Sequence, residues 1–231
     1  MKRIRLIYRK EEIVGSQRTR SRSAPVVLGL VVVAALAGSF FVSLGVDDAS
    51  ASLAADEQVM RGRTLVIHHA CGDCHGGGSN PNADGWLVGA RDTSQEFKIG
   101  PFRTRPRNLT PDNMTGLGRF SERQIFNALR YGLRPGETPD VDITSTTPGQ
   151  GNFPAHPKYL AVPMPWPAFR HMSDQDLRDV AAYLKRGVKP VSNRVADSEG
   201  PPDFWASAYT VDKIGPYPAA AFPAARERTA P

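Results

Sequence analysis

The sequence predicts an all-α domain with long loops, preceded by one N-terminal transmembrane helix. Apolar residues recur at helical spacing in three separate stretches, and no run alternates with the period of two that a half-buried strand requires. Glycine (21) and proline (20) are abundant among the 231 residues, which points to long irregular connections. The uncharged segment Pro25 to Val46 is long enough to cross the hydrocarbon core of a bilayer as one helix.

The chain opens with a basic tail, residues 1–24, in which eight Lys and Arg side chains outweigh Glu11 and Glu12. This imbalance accounts for the whole formal net charge of +6, so the remainder is neutral overall. Binding to nucleic acid would need that excess in the folded part, and no nucleic-acid partner is expected. Basic residues ahead of the apolar segment 25–46 keep the N-terminus cytoplasmic by the positive-inside rule. Everything downstream is then expected on the periplasmic side of a bacterial inner membrane. Ala49-Ser50-Ala51 resembles a signal-cleavage site, so a removed signal segment is the alternative to an anchor. The apolar run exceeds the usual signal core, which favours the anchor.

Residues 47–55 read as a linker, and the globular domain is expected over 56–190. Its first helix is signalled by Val59, Gly62 and Val66, broadened by Leu65 and Ile67. Glycine inside a helix costs about 1 kcal/mol against alanine, so Gly62 is expected to mark a close approach by another helix. Residues 76–118 read as loop. A second helix starts at Ser121, with Gln124 as capping-box partner and Ile125, Ala128 and Leu129 on one face, and stops at Gly132. Residues 135–157 form a polar insertion. The prolines of Pro163-Met164-Pro165-Trp166-Pro167 are expected to hold an extended strap. A third helix is capped by Ser173, places Leu177, Val180, Ala181 and Leu184 on one stripe, and stops at Gly187. The Pro/Ala-rich tail, 191–231, is expected to wrap loosely over the domain or to serve as a docking segment.

Directly after the first helix stands Cys71-Gly72-Asp73-Cys74-His75, the C-x-x-C-H pattern of covalent c-type haem attachment. Two thiols add across the two porphyrin vinyl groups, and a His after the second cysteine can turn its imidazole onto the iron. A zinc site would call for four N/S ligands, and the chain has only these two cysteines with no second Cys/His pair. A thioredoxin-like dithiol would sit in a βαβ context that the pattern lacks. The motif therefore assigns one haem c, with Cys71 and Cys74 as thioether donors and His75 as proximal iron ligand. His75 should donate its other ring N–H to a backbone carbonyl near Pro101 or Pro106.

The sixth iron position decides what the haem does. Met60 lies on the helix feeding the motif and is too constrained to reach the far haem face. Met172 precedes the cap Ser173, where a staple contact to Leu177 explains it. Met114 sits in a turn with nothing to recommend it. Met164 is the expected distal ligand, because a proline-stiffened strap loses little backbone entropy in holding a thioether at the iron. Met172, Met114, a histidine (His156 or His171, each more readily explained by a surface or capping role) and an open site remain as alternatives. Arg103 and Arg105, alternating with Arg107, are candidate contacts for the haem propionates, the other reading being a solvated charge run. No acid/base constellation accompanies the motif, so no catalytic residue is assigned.

Taken together, Cys71–His75, Asn108-Leu109-Thr110-Pro111-Asp112, the Met164 strap, Met172-Ser173-Asp174 and Ala182-Tyr183-Leu184 resemble class I cytochrome c domains. They are most similar to those found as cytochrome subunits of bacterial membrane-associated dehydrogenases. The resemblance spans roughly residues 56 to 190. It implies a helical haem domain with its first and last helices crossing, axial ligation by His75 and Met164, and one-electron transfer. This chain has one attachment motif where such subunits often have two or three. The expectation is a membrane-anchored periplasmic monohaem cytochrome that exchanges single electrons with redox protein partners, such as a dehydrogenase or oxidase complex, and is not itself an enzyme. The alternative is a haem protein with an open sixth site, a peroxidase or gas sensor.

Overall fold

The helix that leads into the attachment motif runs through residues 50–68 (α1) and already begins inside the stretch read as linker. In this computed structural model the described residues are 50–201, 203, 205–209, 211–214 and 223–228. The basic tail and the segment 25–46 expected to span a membrane lie outside them. Among the described residues no helix is long and apolar enough to cross a membrane.

A short helix, α2 (Cys71–His75), follows α1 directly. Next come a two-stranded antiparallel hairpin, β1 (Phe97–Ile99) and β2 (Phe102–Thr104), and then α3 (Glu122–Tyr131), α4 (Trp166–Phe169) and α5 (Asp174–Ala182). The last continues as a π-helical turn over Tyr183–Gly187, and a final short helix, α6 (Val211–Ile214), lies in the tail. The hairpin corrects the expectation of a strand-free domain. Phe97 pairs with Thr104 and Ile99 with Phe102. Gly100, at φ 56°, opens the two-residue turn, the arrangement a II′ hairpin uses.

The capping signals fold as read. Ser121 accepts from the Gln124 N–H while the Gln124 side chain accepts from the Ser121 N–H, so both arms of the capping box close. Ser173 accepts from the Asp176 N–H at 3.0 Å. Leu177, Val180, Ala181 and Leu184 are all buried. Val180, Ala181 and Leu184 meet Val66 of α1 and Ile125 of α3 in the main apolar cluster, which Trp86, Leu87, Leu117, Tyr183 and Val188 complete.

Gly62 lies where α1 crosses α5, and a Cβ there would run into the Asp179 carbonyl. The Asp179 carboxylate, buried at the same crossing, accepts from Arg61 Nε at 2.8 Å and Gln175 Nε2 at 2.6 Å. The crossing thus combines close backbone approach with a satisfied buried charge.

Two regions depart from the sequence reading. The insertion contributes Ile143 and Phe153 to a small separate core that it shares with Leu133, just beyond the end of α3. Asn127 on α3 donates to the carbonyls of Pro139 and Val141, both at 2.9 Å, which ties the insertion down. The tail is bound rather than loosely wrapped over residues 191–199. Asn108 Nδ2 donates to the Val191 carbonyl at 2.8 Å, and Asn193 Nδ2 donates to the carbonyls of Val88 and Ala90. Arg103 and Glu199 exchange both backbone hydrogen bonds beside β2. Farther on, Trp205 and Tyr209 join Phe102 and Trp166 in a second buried cluster.

Candidate functional site

Between α1 and α2 the chain turns at Ala70, which adopts a left-handed conformation at φ 53°. For a residue with a Cβ this costs about 1–2 kcal/mol, and it breaks the helix immediately before Cys71. The five motif residues then form one helical turn, which brings Cys71, Cys74 and His75 to a common cavity of about 460 Å³. That volume suits a bound organic group, and the lining is mainly aliphatic, including Leu65, Leu109, Ile125, Leu129 and Val180.

The two thiols differ. Cys74 is exposed, whereas Cys71 packs against the main cluster and its burial pushes the thiol pKa up to about 11. His75 is held at two points. Its backbone carbonyl accepts from the Gly89 N–H at 2.8 Å, and its Nδ1 hydrogen-bonds the Arg107 carbonyl at 2.7 Å. A carbonyl has no proton to give, so Nδ1 carries the hydrogen and Nε2 keeps the lone pair a metal needs. Burial lowers the His75 pKa, with the Arg107 hydrogen bond opposing in part, which favours the neutral, ligating form. The expected backbone acceptor is therefore present, one residue beyond Pro106.

Met164 also lines the cavity, and so does Met172. Met114 and Met60 do not line it and are exposed to 82% and 58%, which removes both from contention. His156 and His171 are exposed and outside the lining. Met172 packs against the main cluster, whereas Met164 belongs to none of the three apolar clusters among the described residues. The expected extended strap is instead a turn. The Met164 N–H donates to the Ala161 carbonyl at 2.9 Å, and α4 starts two residues later. Pro167 fits there because the first turn of a helix has unpaired N–H groups in any case.

The arginines separate in the same way. Arg103 is exposed and away from the cavity, while Arg105 and Arg107 line it. Arg105 is buried, paired with Glu96 and, at 3.7 Å, with Glu199. Its Nε is buried with no hydrogen-bond partner among the described residues. Arg107 is held by the tail, donating to the Val195 and Ala196 carbonyls at 3.2 Å. His69, which the sequence did not single out, lines the cavity with its ring edge-on to Phe169 at 5.7 Å. It lies four residues after Leu65 on α1, so the shared helical face was the available signal.

The donor set fits a covalently bound haem: two thiols and an imidazole on one helical turn, thioethers in the same apolar cavity, and an unsatisfied guanidinium N–H. Comparison with known proteins agrees. The gluconate 2-dehydrogenase cytochrome c subunit of Pantoea cypripedii is 30% identical over 162 residues, 70% of this chain and 29% of that relative. The cytochrome c subunit of the quinone alcohol dehydrogenase of Gluconobacter oxydans (strain 621H) is 29% identical over 172 residues, 73% of this chain and 30% of that relative. The fructose dehydrogenase cytochrome subunit of Gluconobacter japonicus is 28% identical over 133 residues, 58% of this chain and 22% of that relative. The chain thus spans under a third of the length of these relatives. No protein-family model matches it.

Proposed function

We propose that this chain, whose relatives are cytochrome c subunits of bacterial dehydrogenases, is a monohaem c-type cytochrome that carries single electrons between redox proteins. One observation carries the reading: an attachment turn with its imidazole oriented by a carbonyl shares one apolar cavity with a methionine that no core cluster claims. Cys71 and Cys74 would hold the haem c through thioethers, with His75 as its proximal ligand and Met164 as the distal one. The haem supplies the one-electron couple. Arg105 offers its buried Nε–H to a propionate, and the aliphatic lining keeps water from the ligands. A neutral thioether and an apolar surrounding favour the less charged reduced iron, which sets a relatively high potential. A membrane dehydrogenase complex is the proposed donor or acceptor. The apolar segment 25–46 is the proposed anchor, with the N-terminus cytoplasmic and the haem domain in the periplasm.

The test is spectroscopic. The carrier reading expects a pyridine haemochrome of c type, a low-spin ferric haem, and a ferrous form that ignores carbon monoxide. A high-spin haem that binds carbon monoxide readily makes the protein an open-site peroxidase or sensor instead. Copurification of a dehydrogenase from solubilised membranes, lost on deletion of residues 25–46, tests partner and anchor together.

A further inference from the structure

Residues beyond 200 pack against the elements that follow Met164. The Met164 backbone itself makes only local hydrogen bonds, one to the Ala161 carbonyl and one from the Trp166 N–H. Its position therefore depends on α4. Trp166, at the start of α4, is fully buried. Tyr159 stacks on it at 5.8 Å, and Tyr209 from the tail meets it edge-on at 4.8 Å. Trp205 and Phe102 extend the cluster, with ring centroids 4.9 Å apart.

At the other end of α4, Arg170 is buried. Its Nε donates to the Pro167 carbonyl at 3.2 Å, and its Nη2 donates to the Ile214 carbonyl on α6. A third tie runs through Asp203, which accepts from Arg134 at 3.0 Å, while the same guanidinium donates to the Tyr159 carbonyl at 3.1 Å. The tail thus engages α4 at both ends, through an aromatic cluster and through a charge-assisted hydrogen bond.

Resting on Met164 as distal ligand, we infer that the tail residues Asp203, Trp205, Tyr209 and Ile214 act as a clamp that keeps the Met164 thioether in place, with Trp166 and Arg170 as positioning residues. A thioether is a weak, neutral ligand, so its occupancy depends on how firmly the protein presents it. An external ligand such as imidazole reaches the iron only when Met164 has left, so its apparent affinity scales with the released fraction. Loosening the clamp raises that fraction without touching Cys71, Cys74 or His75.

The experiment is an imidazole titration of the ferric full-length holoprotein. Tyr209→Leu and Arg170→Met are expected to bind imidazole about tenfold more tightly than the wild type, because the open fraction enters the apparent constant directly. Arg170→Lys, which keeps a charged donor, should fall between them and the wild type. Val188→Ala, which thins the main cluster away from α4, should match the wild type. Wild-type affinity in both Tyr209→Leu and Arg170→Met, with helical circular dichroism intact, overturns the clamp. An equal gain in Val188→Ala also overturns it, since general loosening then explains the effect. If Arg170→Met does not fold, Tyr209→Leu carries the test alone. Met164→Ala should bind tightest of all. If its affinity equals that of the wild type, the distal-ligand assignment falls rather than the clamp.

Discussion

The attachment segment and the Met164 segment line the same cavity but are built in opposite ways. Cys71–His75 sits within one helical turn, and its three chemical groups are set by spacing alone. Its supports are α1, crossing α5 at Gly62, and the loop carbonyl of Arg107. Met164 sits in a turn whose support comes from Tyr159, α4 and tail residues more than 35 positions away. A ligand coded locally can be read from five residues. A ligand presented by long-range packing depends on many substitutions that never touch it.

The largest effect should come from breaking the local segment. The double variant Cys71→Ser/Cys74→Ser should lose covalent haem completely, seen as loss of haem staining in a denaturing gel, whereas the Met164 segment has no bearing on attachment. Next is Gly62→Val. Its side chain would collide with the Asp179 backbone, which cannot step aside as a flexible side chain could. Overpacking of this kind costs about 3 kcal/mol or more, measured by denaturant unfolding. A variant as stable as the wild type would mean that α1 and α5 do not meet closely.

Gly132→Ala attacks the other segment. Gly132 ends α3 at φ 69°, and a Cβ there would enter the Trp166 ring. The left-handed backbone and the clash together should cost about 2 kcal/mol. Haem staining should survive, while imidazole binds more tightly than to the wild type. The smallest effect is Tyr183→Phe, which strands the buried Trp86 Nε1–H now donating to the Tyr183 hydroxyl at 3.0 Å. Leaving that donor unsatisfied should cost about 1 kcal/mol, the low end for a buried polar group, and the Met164 segment should not respond.

The same division explains what was legible in the sequence. Helix caps and stripes depend on neighbours within four residues, so Ser121, Gln124, Ser173 and the Leu177–Leu184 stripe appeared directly. Gly62 was legible because glycine is costly in a helix without a reason. The hairpin was missed because three residues per strand are too few to establish alternation, although Gly100-Pro101 offered a turn signal. The strap was read as extended because proline was weighed as a helix breaker, when Pro167 occupies the position where a helix tolerates it. The bound tail was missed because its hold consists of side chains such as Asn108 and Asn193 donating to distant carbonyls, a pattern without periodicity. Among the candidate residues, the sequence could not separate Arg103 from Arg105, whereas it already preferred Met164 to Met114 for the prolines around it. Burial separates both pairs.

The central claim is that Met164, and not its neighbour Met172, completes the iron's ligand set. The most direct measurement is the ferric visible spectrum of the full-length holoprotein beside Met164→Ala and Met172→Ala. The account predicts a low-spin haem with a methionine–iron charge-transfer band in the wild type. That band should vanish in Met164→Ala, with covalent haem retained, and persist in Met172→Ala. A band that survives Met164→Ala but is lost in Met172→Ala, or a wild type that is high-spin with no such band, contradicts it.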